Sequence, residues 1–465
     1  MRLYNTISRK VEDFVPINDR KVNMYTCGLT VYSQPQIGNW VAYIYSDILH
    51  RTLIESGFKV YRVQNITDVG HLVSDDDIGE DKMEKGARIE GITAWDVADK
   101  YIKVAAKESK ILGLLSPDKL VRATDLITQQ IDFVKGLEEK GYTYIIDDGV
   151  YFDTSKLDDY GKLAQLDIDG LQAGARVKVG GKKNITDFAL WKFSPKDKKR
   201  DMEWESPWGL GFPGWHLECS VIARENLGDQ IDIHTGGIDH IPVHHTNEIA
   251  QTESLTSKKP FSKFWFHNNH IKIDGTKLSK SLGNSYTLSD INDNGFSTEA
   301  FRLLVLSSHY QTEGNFSWKI LESSSNRLSS FNAMADLQFQ TNEKGVNYNF
   351  ATAGLNLMKA MQNNLDTPGA LTQISKVASD LEGKVINSSN SKEFRDYLEL
   401  IDRLLGFNLS TRSDISTKQV NLLKEREVTR VNKDWIKSDK IREELLSQKI
   451  IVNDTSWGQI WHRID

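Results

Sequence analysis

The chain reads as an α/β protein: a parallel sheet forms a catalytic domain that an insertion splits in two, and helices and a small C-terminal module follow. Three observations carry this. Within the first 70 residues a β-type run, a loop, a helix and a second β-type run follow one another, the order of a parallel crossover unit. The strand period returns at QIDIH (230–234) and at HIKID (270–274), each followed by a glycine-containing loop. Beyond residue 295 the character changes to amphipathic helices rich in Ser, Leu and Asn, such as STEAFRLLVLSSH and FRDYLELIDRLLGF.

Each element follows from local chemistry. Lys21–Thr26 (KVNMYT) forms the first strand. A loop holding Gly28, Pro35 and Gly38 leads into a helix, where Val41, Ile44 and Ile48 recur at helical spacing and Gly57 supplies the stop. Phe58–Gln64 (FKVYRVQ) is the next strand, and residues from about 70 to 140 are helical and highly charged. From Tyr142 to Trp208 the pattern loosens into short β-type runs with turns, which marks the insertion. Ligands of open parallel sheets bind beyond the carboxyl ends of the strands, so the loops after Thr26, Asn65, His234 and Asp274 are expected to share one crevice. A polar break at 408–419 isolates the last segment. The expected units are 1–115 and 213–295 for the two catalytic halves, 116–212 for the connective insertion, 296–407 for the helical part and 408–465 for the C-terminal module.

Composition bounds the function. At 465 residues the chain is long enough for two to four domains. Its 58 Lys+Arg against 64 Asp+Glu leave a net charge of -6, which argues against coating nucleic acid by charge alone. No stretch approaches the ~20 apolar residues of a membrane span, and the N-terminus lacks the apolar core of a signal peptide, so no membrane partner and a cytoplasmic location are expected. The two cysteines, Cys27 and Cys219, read on counts alone as buried thiols acting as small apolar groups.

The motifs point elsewhere. Neither a P-loop nor a G-x-G-x-x-G after a strand is present, so a nucleotide would be held in another way. In VHHTNEIAQTES (243–254), His244 and Glu248 stand four apart and share one helix face, which suits neighbouring ligands of a metal ion and equally suits a solvated pair. With the two cysteines they would complete a set for tetrahedral zinc, although spacing alone leaves open whether the four meet. In GTKLSKSLGN (275–284), Lys277, Ser279, Lys280 and Ser281 lie between glycines and could hold a polyphosphate; an ordinary Lys/Ser surface loop has the same composition.

KLSKS resembles the KMSKS signature of class I aminoacyl-tRNA synthetases, and QIGN (36–39) stands where those enzymes carry HIGH. MYTCGLTVYSQPQIGN, QNITDVGH, LQAGARV, PGWHLECS, DIHTGGIDHIPVHHTNEIAQTES and KDWIKSDKIREELLSQKIIVNDTSWGQIW occur in order along the chain, and together they resemble the cysteinyl-tRNA synthetase family. The resemblance implies a Rossmann-like catalytic domain, a helical stem-contact bundle and a C-terminal anticodon-binding module. It implies one zinc ion on Cys27, Cys219, His244 and Glu248, with His245 as a non-ligand neighbour. Gly28, Thr67 and Trp215 would line the amino-acid pocket, Asp239 would face the ammonium group, and His234, Gly236 and Gly237 would receive the adenosine. Thr30 would lie by the triphosphate, while Gln36, Gly38 and Asn39 with Lys277, Ser279, Lys280 and Ser281 would serve the two signatures. The implied activity is charging of tRNA-Cys with L-cysteine, using ATP with Mg2+, by a monomer.

Gln36 departs from the family: it replaces the first histidine of HIGH. An amide remains a neutral donor, so activity is expected to persist with about a tenfold loss, the scale of one hydrogen bond. Two other readings stay open. One is a tRNA-independent cysteine ligase acylating an amino sugar; the other is a catalytically silent tRNA-binding paralogue. At the C-terminus, Trp457 and Trp461 are available either for stacking on bases or for the core.

Overall fold

The structure is a computed structural model that describes residues 1–70, 81–166, 181–195, 199–277 and 285–464. Its centre is a five-stranded sheet in the order Ser262–Asn268, Ile231–Gly237, Lys21–Thr26, Lys59–Ile66, Lys119–Arg122, with every neighbouring pair parallel. The strands are apolar on both faces: Val22, Met24, Tyr25, Ile231 and Ile233 are all buried, as expected of a sheet covered on both sides. From Lys21–Thr26 the chain steps outward in one direction, then crosses over to add Ile231–Gly237 on the other side. That reversal opens a crevice at the carboxyl ends of these two strands.

The helix Ile37–Glu55 is buried on nearly every face. It lies between the sheet and the helical part, to which Tyr45 Oη donates at Val305 O (2.8 Å) and Ser308 O (2.9 Å). Asp47, on the same helix, is fully buried and pairs with Arg302 of the helix Thr298–Leu306 and with Arg51. A charge this deep is tolerable only because both cations and the Leu115 N–H meet it.

Two expectations are corrected here. The run at 270–274 does not extend the parallel sheet: Ile271–Ile273 pairs with Thr276–Lys277 and Gly314–Phe316 in a separate three-stranded sheet. The outer parallel strand is Ser262–Asn268 instead, paired along its length with Ile231–Gly237. The expected insertion from 116 starts too early, because Lys119–Arg122 pairs with Lys59–Ile66 as an edge of the main sheet. The inserted sheet proper is antiparallel and four-stranded, from Thr143–Ile146 to Gly211–Pro213.

Five long helices between Thr298 and Leu405 form the helical part. The helices Thr417–Val431 and Trp435–Ser447 and the hairpin of Ile450–Thr455 with Gly458–Arg463 form the terminal unit. Trp461 is buried there and its backbone exchanges two hydrogen bonds of 2.8 Å with the Gln340 side chain. Trp461 is therefore core, and Trp457 packs against the main core. Among the described residues no helix is long and apolar enough to cross a membrane.

Candidate metal centre and substrate cleft

A cleft of about 450 Å3 opens at the carboxyl ends of Lys21–Thr26 and Ile231–Gly237. Four side chains converge at its floor. Cys27 follows the strand Lys21–Thr26, Cys219 lies on the helix Trp215–Leu227, and His244 and Glu248 share the face of the helix His244–Thr256 that their spacing predicts. One ligand atom from each lies within 4.8 Å of all the others. The two sulfurs are 3.9 Å apart, close to the ~3.8 Å separation of two thiolates at about 2.3 Å from a tetrahedral zinc. Glu248 Oε1 is buried, stands 3.1 Å from His244 Nε2, and accepts no hydrogen bond. Two soft sulfurs, an imidazole and a carboxylate oxygen left without a proton donor are a donor set that fits zinc.

The electrostatics agree with the geometry. The Cys27 thiol hydrogen-bonds to Cys219 and holds it well below the usual thiol range, while burial and the Cys219 charge push Cys27 up. Burial alone would lower the His244 pKa; the adjacent Cys219 and Glu248 charges outweigh it and raise the value. Burial likewise works against the Glu248 carboxylate, and the imidazoles of His234 and His244 overcome it. Cys219 and Glu248 thus hold negative charge in a buried place, where the His244 imidazolium or a metal ion can balance it.

A second ring of side chains orients the first. His216 Nδ1 lies 2.9 Å from His244 Nδ1, which leaves His244 Nε2 turned to the cluster. His234 Nε2 lies 2.8 Å from Glu248 Oε2, and its ring stacks on Trp265 at 4.6 Å. His245 Nδ1 reaches His267 Nε2 at 2.7 Å, while its Nε2 stands 3.4 Å from Cys27 Sγ. Cys27, His234, His245 and Glu248 also have ligand atoms within 4.8 Å of one another, so His245 is a closer neighbour of the cluster than its motif position suggested.

Residues 13–326 match the family described as tRNA synthetases class I (C) catalytic domain. The cysteine–tRNA ligase 1 of Burkholderia lata is 43% identical over 466 residues, which cover 99% of this chain and 96% of the relative. The chain belongs to the cysteine–tRNA ligase family. A second relative, the cysteine–tRNA ligase of Treponema denticola, is 35% identical over the whole of both chains. Among solved structures, the Mycobacterium tuberculosis methionyl-tRNA synthetase in complex with methionyl-adenylate shares the fold at a TM-score of 0.60 and 13% identity, covering 84% of this chain and 92% of the other. A putative arginyl-tRNA synthetase from Campylobacter jejuni shares it at 0.54 and 14% identity, covering 85% and 93%.

The cleft of this cysteine–tRNA ligase family member is walled by most of the residues its motifs single out. Gly28, Thr30, Thr67, Trp215 and Asp239 line it. Gly28 N donates to Asn65 Oδ1 (2.6 Å) and Asn65 Nδ2 to Thr67 Oγ1 (3.0 Å), so Asn65, which sequence reasoning placed only at a strand end, ties the two walls together. The Trp215 ring lies 4.6 Å from that of His244, and Asp239 is exposed at the rim. Gln36, Gly38 and Asn39 also line the cleft. Gln36 is the N-cap of Ile37–Glu55, and its backbone N–H donates to Asn39 Oδ1 at 2.9 Å; Asn39 therefore closes the helix end.

Of the expected adenosine strip, Gly236 and Gly237 line the cleft and His234 does not. His234 is fully buried behind the cleft wall, bound to Glu248. A Cβ on Gly236 would come within 2.5 Å of His245 Cε1, and one on Gly237 within 2.3 Å of Asp239 Oδ1. Gly236 is thus required by the buried His245 ring, whereas the exposed Asp239 side chain beside Gly237 can swing aside. Residues two apart on a strand share a face, and the face carrying His234 and Gly236 packs against His245. Lys277 lies on the short strand Thr276–Lys277; Ser279, Lys280 and Ser281, like the LQAGARV segment, lie outside the described residues.

Proposed function

We propose that the chain activates L-cysteine with ATP and transfers the cysteinyl group to the 3′ end of tRNA-Cys, selecting its substrate with one zinc ion held by Cys27, Cys219, His244 and Glu248. The observation that carries this is the four-donor cluster on the floor of a cleft at the sheet's reversal point. Zinc, when bound there, supplies a soft Lewis-acid position that favours a thiolate over the hydroxyl of serine. Trp215 and Thr67 bound the space above the cluster, and Asp239 offers a carboxylate for the substrate ammonium.

The N-terminus of Ile37–Glu55 turns the positive end of its dipole toward the phosphates of Mg-ATP. In the first step the cysteine carboxylate attacks the α-phosphate and pyrophosphate leaves. In the second a ribose hydroxyl of the tRNA displaces AMP. Positioning and charge stabilisation carry most of the rate, with the Gln36 amide as a neutral donor near the phosphates and Lys277 and Lys280 balancing charge on the leaving group. Residues 296–407 serve the tRNA stem and 408–465 the anticodon; the chain acts as a monomer in the cytoplasm. Support for tRNA over an amino-sugar acceptor comes from relatives that match the chain through its terminal unit.

Cysteine-dependent ATP–pyrophosphate exchange by zinc-replete protein tests the first step. Charging of tRNA-Cys against a free amino-sugar acceptor tests the second. Absence of exchange would leave only a silent RNA-binding role, and transfer to the amino sugar alone would reassign the acceptor.

A further inference from the structure

Glu108 is a buried carboxylate with no role in the chemistry above. It lies near the end of the helix Ala94–Ile111 and is 6% exposed. No cation stands within salt-bridge distance of it among the described residues. Two neutral donors meet it: Gln34 Nε2 donates to Oε1 at 3.1 Å and Trp40 Nε1 to Oε2 at 2.8 Å. Burial pushes its carboxyl pKa up, against both hydrogen bonds. A carboxylate is a costly group to bury unless both oxygens are needed as acceptors.

The two donors sit on either side of Gln36. Gln34 lines the cleft on the approach to the helix N-terminus, and Trp40 lies in that helix's first turns. Between Gln34 and Gln36 stands Pro35, which has no N–H to anchor the backbone. Trp40 is itself held in the core, its ring 5.7 Å from that of Tyr43, and so gives the clamp a fixed anchor.

We propose that Glu108 is a positioning residue for ATP: it clamps the Gln34–Gln36 loop to the first turns of Ile37–Glu55 and so sets the geometry of the phosphate-binding end of the cleft. This rests on the ligase reading for the identity of the nucleotide site. A glutamine at 108 could still accept from Trp40 and donate to a rotated Gln34 amide, so the informative substitution is Glu108→Met, which removes both acceptors at similar length. Gln34→Leu removes the loop arm alone and leaves the helix arm in place.

ATP binding is measured by calorimetry without cysteine, alongside zinc content and the KM values for ATP and cysteine in exchange. Glu108→Met and Gln34→Leu are each expected to weaken ATP binding about tenfold, the scale of one hydrogen bond to a charged group, with cysteine KM and zinc content unchanged. The double variant should be no weaker than Glu108→Met alone, because both act on one clamp. ATP binding by both single variants within twofold of wild type, or a double variant whose loss is the product of the two, would overturn the proposal. Wild type that binds ATP with the same sensitivity to these variants but shows no cysteine-dependent exchange would remove the ligase reading and leave the clamp standing; wild type that does not bind ATP would remove both.

Discussion

Gly28→Ala perturbs the cleft at its tightest point. A Cβ at this position would lie 1.6 Å from Asn65 O and 2.6 Å from Asn65 C, whereas carbon and carbonyl oxygen normally approach no closer than about 3.3 Å. The two backbones must therefore separate by about 1.7 Å, working from the 1.6 Å approach. Asn65 cannot yield easily, because its strand is paired on both sides, to Lys21–Thr26 and to Lys119–Arg122. The separation also breaks the 2.6 Å bond from Gly28 N to Asn65 Oδ1. Overpacking of this kind costs about 1–3 kcal/mol and the lost hydrogen bond about 1 kcal/mol, so a loss of about 2–4 kcal/mol is expected. Displacing Cys27 and the pocket wall by an ångström costs about 100-fold in rate. Chemical denaturation and cysteine-dependent exchange over a range of cysteine concentrations measure the two effects. A Gly28→Ala protein with wild-type stability and a cysteine kcat/KM within twofold of wild type would refute the reasoning.

Cys27→Ser or Cys219→Ser should each lose zinc and cysteine activation together, read by metal analysis and exchange on the same sample; retention of both would remove the metal assignment. Gln36→His should change exchange by no more than about tenfold if the amide substitutes for the imidazole; a much larger rise would mark the glutamine as a defect. Asp47→Asn leaves the fully buried Arg302 without its counter-charge, at a cost of about 3–5 kcal/mol visible in denaturant melts. Burial alone would raise the Asp47 pKa, but Arg302 and Arg51 outweigh it and lower the value in the folded protein. Its stabilisation is therefore present above the unfolded carboxyl pKa of about 3.9 and is lost as the pH falls through the lower folded value. Asp47→Asn should remove that part of the acid-unfolding slope.

Local patterns made much of this fold legible. KVNMYT is the strand Lys21–Thr26 residue for residue, and the four-residue spacing of His244 and Glu248 put both on one helix face. What escaped depended on distant partners. SKFWFHN and HIKID carry the same period, and only pairing with Ile231–Gly237 decides which one joins the parallel sheet. KLVR is four residues long, too short to show a period, yet it forms an edge of the main sheet. His234 was read by motif as facing the nucleotide; it is fully buried against Glu248 instead, while Gly236 on the same strand lines the cleft. His216, His267 and Asn65 act through other side chains, and such second-ring contacts leave no spacing signal in a sequence.

The floor of the cleft joins parts of the chain made far apart in time. Cys27 precedes Cys219 by 192 residues, and the inserted antiparallel sheet lies between them. An ion gripping both would act as a fastener across a discontinuous domain, closing a long loop whose entropic cost grows only slowly with its length. Part of its binding free energy would then become folding free energy. During synthesis the four-donor cluster cannot exist until Glu248 has emerged, so the nascent first half is a sheet with an unfinished edge. The insertion, for its part, is free to lengthen or shorten over evolutionary time as long as its two ends return to the same place.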